Sequence, residues 1–155
     1  MRLVTLDAST KVTGCALFED GKLIDHCAIN FSKETDTEKR MNMMCSAIVK
    51  KLSVYKPDQI WGEYPEGNGR NVLVVHHISE ILGAIRLYAA LKDIEFHEAK
   101  PNEWRSWAGI QTGKKKREEL KQAARDMVYS LYGIHPIEDE CEAIVFGHGV
   151  LNAFG

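Results

Sequence analysis

No run of apolar residues in this sequence is long enough to predict a membrane span, and its first residues lack the long apolar segment of a secretion signal. Cysteine is sparse as well. Cys15, Cys27, Cys45 and Cys141 show no close paired spacing, which argues against a zinc-ligand pattern and a disulfide framework. They are expected to be reduced, mostly buried thiols of a cytoplasmic protein. Excess positive charge is missing too: the formal net charge is -2, which argues against a nonspecific coat for nucleic acid. No serine or cysteine stands out as a nucleophile with a paired base. What the chain does have is length for one domain with a sizeable core, residues 1–155.

The charge that is present is unevenly placed. Residues 100–125 carry eight bases against three acids, whereas residues 138–142 carry four acids and no base. One basic region and one acidic cluster in a small domain suggest a division of labour that the total conceals.

Along the chain, residues 3–6 are a short apolar, β-branched run with the composition of a buried strand, and it ends abruptly in Asp7. Residues 12–18 and 22–31 are two further strand-like runs joined through Asp20-Gly21, a strong hairpin signal, so the first three strands are expected to form an antiparallel meander. Residues 35–55 place Met41, Met44, Cys45, Ile48, Leu52 and Tyr55 on one helical stripe. Residues 59–65 form a fourth strand that closes on a second acid, Glu63, before Pro65. Residues 72–91 form a long helix whose apolar surface is unusually wide. Burial on two sides explains it equally well as a core helix of a monomer or as a helix packed on the sheet and on a second subunit. Residues 94–99 are a last strand, and Pro101 opens a short helix. Residues 114–132 read as an amphipathic helix that begins with four consecutive bases, against the helix dipole. Phosphate contact or a solvated charged face explains them. In the final helix, 138–153, Asp139 and Glu142 share a face that continues as Ala143, Phe146, Val150 and Ala153.

Asp7 alone is as readily a turn residue as a functional acid. Together with Glu63, Asp139 and Glu142 it makes a set of carboxylates directed at one sheet edge, if the first and fourth strands are parallel neighbours. Clustered carboxylates repel, and oxygen-only ligands are the natural partners of hard divalent cations such as magnesium or manganese. Two such ions about 4 Å apart activate a water and stabilise a leaving oxygen in phosphodiester hydrolysis.

The order of these elements and acids resembles the RuvC family of Holliday junction resolvases, within the ribonuclease H-like fold. Leu6-Asp7-Ala8-Ser9 through Thr13-Gly14 resembles the family's opening motif, and Glu63 after an apolar strand matches its second acid. Asn71 and the helix to Gly83-Ala84 resemble the stretch that builds the family's dimer. Pro101, Arg105 and residues 113–116 resemble its DNA-contacting segment, and residues 139–144 match its closing acids. The resemblance implies a five-stranded mixed sheet, three antiparallel strands then two parallel, with helices on both faces. It also implies a homodimer through the 72–91 helix and two Mg2+ ions, or Mn2+, held by Asp7, Glu63, Asp139 and Glu142. The contact that the DNA-contacting segment implies is read onto the bases Lys114, Lys115, Lys116 and Arg117, with Arg70 and Arg105 as further candidates, and Lys116 is expected nearest the cut as a further catalytic residue. The expected activity is endonucleolytic resolution of four-way junctions or other branched DNA, leaving 5′-phosphate and 3′-hydroxyl ends. Two departures widen the expected substrate: Glu142 stands where the family usually has Asp, and Glu66 where a resolvase can carry a junction-stacking aromatic. Small resolvases of this kind also occur in phages. The rival readings are a branched-DNA-binding protein that cuts poorly or not at all, and a phosphate-binding loop of the actin and sugar-kinase kind, for which the chain leaves no second domain.

Overall fold

The computed structural model describes residues 1–67 and 71–155. Its frame is set by the hairpin that Asp20-Gly21 encodes. Both residues adopt positive φ, 49° and 79°, which matches the right-handed twist of the flanking strands. The hairpin joins β2 (Val12–Glu19) to β3 (Lys22–Asn30), and β2 also pairs antiparallel with β1 (Arg2–Asp7). On its other side β1 pairs in parallel with β4 (Gln59–Glu63), which pairs in parallel with β5 (Glu95–Ala99). The sheet therefore runs β3-β2-β1-β4-β5, five strands in the expected mixed order.

Strand periodicity sorts the side chains onto two faces. Val4, Leu6, Cys15, Leu17 and Ile60 face a core built with α1 (Thr37–Tyr55) and α2 (Val72–Leu91). Leu3, Ala16, Phe18 and Trp61 face the other core, built with α3 (Pro101–Trp107), α4 (Arg117–Tyr132) and α5 (Glu138–Phe154). Helices cover both faces, as expected. α5 lies deepest: residues 141–147 are all buried, because sheet and helices enclose it together.

Several boundaries differ from the sequence expectation for local reasons. α1 begins at Thr37 because Asp36 caps it, its carboxylate accepting from the backbone N–H of Lys39. α4 begins at Arg117, so Lys114, Lys115 and Lys116 precede the helix and do not oppose its dipole from within; Glu118 and Glu119 occupy its favourable first turn. α5 extends to Phe154, and Ala153, expected on its inward face, is exposed because the helix outruns the sheet there.

α2 matches its expected bounds, yet by length and composition alone it is apolar enough to cross a membrane, which qualifies the absence of such a run. Its inner side, Ile78, Ile81, Leu82, Ile85 and Ala89, packs on the sheet, while Val72, Leu73, Leu87 and Leu91 are exposed. It is therefore not the fully buried core helix that was one of its two readings. Cys15 and Cys27, twelve positions apart in sequence, lie directly opposite each other on β2 and β3, and all four cysteines are free. Cys15 and Cys141 are buried and Cys27 and Cys45 only partly so.

Candidate active site

The same alternation that sorts the core directs the acids. Leu3, Thr5 and Asp7 share one face of β1, and Trp61 and Glu63 share the matching face of β4, so both strand-end acids point toward α5. Leu6 pairs with Gly62, which puts Asp7 and Glu63 side by side at the exits of neighbouring parallel strands. Asp7 also lies opposite Gly14 of β2. The start of α5 rests directly on Gly14, where an added Cβ would overlap the backbone carbonyl of Asp139. One turn further, the Thr5 hydroxyl donates to the Ala143 carbonyl at 2.7 Å. These two contacts seat α5 so that Asp139 and Glu142 face the strand exits. Gly14→Ala is expected to push the helix off the sheet, with a stability loss of about 3 kcal/mol readable in urea unfolding.

Asp7, Glu63, Asp139 and Glu142 line one hollow of about 430 Å³, together with Arg105, Arg117 and Lys121. A larger hollow of about 640 Å³ lies between the 109–111 loop, another stretch of α4 and His148; it carries Lys115 but none of the four acids, so the chemistry points to the smaller one. Burial, and then the neighbouring charges of Glu63, Glu142 and Asp139, push the Asp7 carboxyl well above the usual carboxylate range, against the opposing pull of Arg105. Burial pushes Glu142 up to about 7, with Arg105 pulling it down and Glu63 pushing it further up. Asp139 is raised by burial and by Glu138.

Protein donors already engage part of this set. The Trp104 indole Nε1–H donates to Glu63 Oε2 at 2.8 Å, and Arg105 Nη2 donates to Glu142 Oε2 at 3.4 Å. Trp104 is itself buried and stacked on Phe146, so it packs the core and is not presented to a base. Around the cluster, Lys121 is salt-bridged to Glu138, and His26 Nδ1 lies within hydrogen-bond distance of Glu140 Oε1 at 2.8 Å, which ties the start of α5 to α4 and β3. Among the described residues no group of three His, Cys, Asp or Glu side chains is arranged as a formed metal site. The donor set nevertheless fits a hard cation: the carboxylates offer oxygen only and share one hollow, where burial first and like charge second raise Asp7, and burial raises Glu142.

The bases divide. Arg105 and Arg117 line the acid hollow, whereas Lys114, Lys115 and Lys116 are exposed ahead of α4 and do not line it. Lys116, expected nearest the cut, is the N-cap residue of α4. Arg70 lies outside the described residues. Lys121 lines the hollow and escaped the sequence reading; its signal was the four-residue step from Arg117, which puts both on one helix face.

The described fold matches solved structures over nearly its whole length. Thermus thermophilus RuvC, determined with a Holliday junction substrate, superposes with a TM-score of 0.76 at 13% identity, covering 98% of this chain and 94% of its own. The fold is that of RuvC. The Fowlpox virus resolvase, determined with Holliday junction DNA, gives 0.68 at 14% identity over 99% of this chain and 98% of its own. Ydc2, the yeast mitochondrial Holliday junction resolvase, gives 0.58 at 16% identity over 97% and 77%. No protein-family profile and no curated protein matches the sequence, so the likeness to RuvC rests on three-dimensional arrangement. The RuvC-like sheet is the ribonuclease H-like one expected from the order of elements.

Proposed function

We propose that this chain is a metal-dependent endonuclease that resolves Holliday junctions or related branched DNA. One observation carries the reading: Asp7, Glu63, Asp139 and Glu142, from three distant segments, meet in a single hollow with Glu138, rimmed by Arg105, Arg117 and Lys121. The RuvC and Fowlpox virus resolvase structures, which share the fold, were determined with Holliday junction DNA, and this supports the choice of substrate.

In this reading Asp7, Glu63, Asp139 and Glu142 hold magnesium or manganese. When bound, a pair of such ions supplies the Lewis acidity for phosphodiester hydrolysis, leaving a 5′-phosphate and a 3′-hydroxyl. The chain's own groups position and exclude. Trp104 orients Glu63 through its indole N–H, and the start of α5, clamped by His26, Lys121 and Gly14, fixes Asp139. Arg117 and Lys121 offer positive charge to a phosphate entering the hollow, and Lys114, Lys115 and Lys116 extend that charge along the approach. The exposed apolar stripe of α2 is the surface through which a second copy supplies the second cut of a symmetric junction.

The test is incubation with a synthetic four-way junction and a matched linear duplex, in magnesium, manganese or chelator. Paired nicks in the junction that need metal support the proposal. The rival is a junction-binding protein that does not cut, and the gathering of all four acids in one hollow weighs against it, since binding alone is better served by bases. Tight binding with no cleavage under any metal would establish it. Replacing Lys114, Lys115 and Lys116 together by Ala is expected to weaken binding to all DNA and flatten the log–log salt slope by about 2–3 units, measured by anisotropy. An unchanged slope would remove the lysines from the interface.

A further inference from the structure

Arg105 is held among the acids by a bond weaker than its position calls for. Its side chain is only 15% exposed, and its contact to Glu142 is a long 3.4 Å. Among the described residues its Nε is buried without a hydrogen-bond partner. The guanidinium carbon lies 4.7 Å from the centroid of the Trp104 ring, which supports it from one side. A guanidinium matched to a carboxylate makes two parallel bonds of about 2.8 Å, so a buried fork that satisfies neither its Nε nor a short bond is present for its charge. That charge opposes the repulsion felt by both Asp7 and Glu142.

The location sharpens the point. Arg105 lines the same hollow as all four carboxylates, and Glu142, its partner, is one of them. A divalent cation bound at the Glu142 carboxylate and the Arg105 guanidinium beside it repel each other at short range. We infer that Arg105 is the resident counter-ion of the acid cluster: it holds Glu142 while metal is absent and competes with a divalent cation for that carboxylate. The inference rests on the metal-binding reading above and assigns Arg105 a role at the acids in addition to any DNA contact.

The competition is read without DNA and without activity. Mn2+ affinity is measured by calorimetry and electron paramagnetic resonance on the full chain, and thermal midpoints are taken in chelator. Arg105→Gln is expected to tighten Mn2+ binding about tenfold while lowering the midpoint in chelator, and Arg105→Lys to restore both toward wild type. A residue with a purely structural role would not tighten metal binding. In a Glu142→Gln background the same Arg105→Gln change is expected to alter affinity by less than about twofold, because the contested carboxylate is gone. Unchanged or weaker Mn2+ binding in Arg105→Gln, or an equal gain in both backgrounds, would overturn the inference and leave the metal reading intact. Mn2+ binding by none of the proteins, wild type included, would overturn both.

Discussion

Asp7→Asn is expected to abolish junction cleavage, by about a thousandfold or more, while making the metal-free protein more stable at about pH 8. Both effects have one cause. Asp7 ends the central strand with Glu63 beside it and Asp139 and Glu142 above it, and its carboxylate is resisted by burial and by those three charges. An amide of the same shape removes the repelling charge, so the folded state no longer bears that cost. It also removes the anionic oxygen that a divalent ion needs. Loss of activity with a higher thermal midpoint in chelator separates this from ordinary damage, in which both would fall. Wild-type cleavage rates in the variant would take Asp7 out of the active site, and a lower midpoint would contradict the electrostatic account.

Stripped of metal, the protein is expected to lose stability as pH rises through neutrality. The ordinary value for Glu142 is 4.5, and in the folded state it is pushed up to about 7. A carboxyl whose folded value is raised binds its proton more tightly when folded, so its contribution is complete below the unfolded value and is lost as pH climbs through the folded one. For Glu142 alone the difference is worth about 3 kcal/mol between about pH 4.5 and pH 7.5. Its side chain is only 8% exposed, which leaves little solvent to screen that cost. The Asp7 and Asp139 shifts have the same sign and deepen the loss. Asp20 and Glu95 are shifted the opposite way by Met1 and Gln59, but both are fully exposed and count for little. Urea midpoints in chelator from about pH 5 to pH 8 should fall, and Glu142→Gln should flatten the profile. Saturating magnesium should flatten it as well, since a bound cation offsets the charge. A stability that rises across this interval would refute the assignment of Glu142 to the buried cluster.

Local chemistry carried much of the fold into view. Asp20-Gly21 dictates a hairpin because the turn needs positive φ, and the apolar stripes of α1 and α2 dictate which sides they bury. The helix start at Arg117 was less legible. Lys114, Lys115 and Lys116 are good helix formers, yet the chain enters the helix only after Lys116, an N-cap that makes no side-chain capping bond. Lys121 was missed because a single base inside an amphipathic helix has the same pattern whether it meets water or a hollow. The facing of Cys15 by Cys27 escaped for a related reason: hairpin register depends on turn and bulge, and the bulge between Leu17 and Phe18 shifts the pairing by one.

The four acids show where the division falls. Their identity and their places at strand ends and on one helix face follow from sequence, because strand and helix periodicities are local properties of the chain. Their meeting does not. It needs β1 and β4 to be parallel neighbours and α5 to sit on Gly14, contacts between residues more than fifty positions apart in sequence. Which bases face those acids was likewise decided by tertiary packing: α3 brings Arg105 and Trp104 inward, α4 brings Arg117 and Lys121, and the lysine run ahead of α4 stays in solvent. Charge is written residue by residue, but the compensation of charge depends on distance and burial, and those exist only once the sheet and its helices have closed around the site.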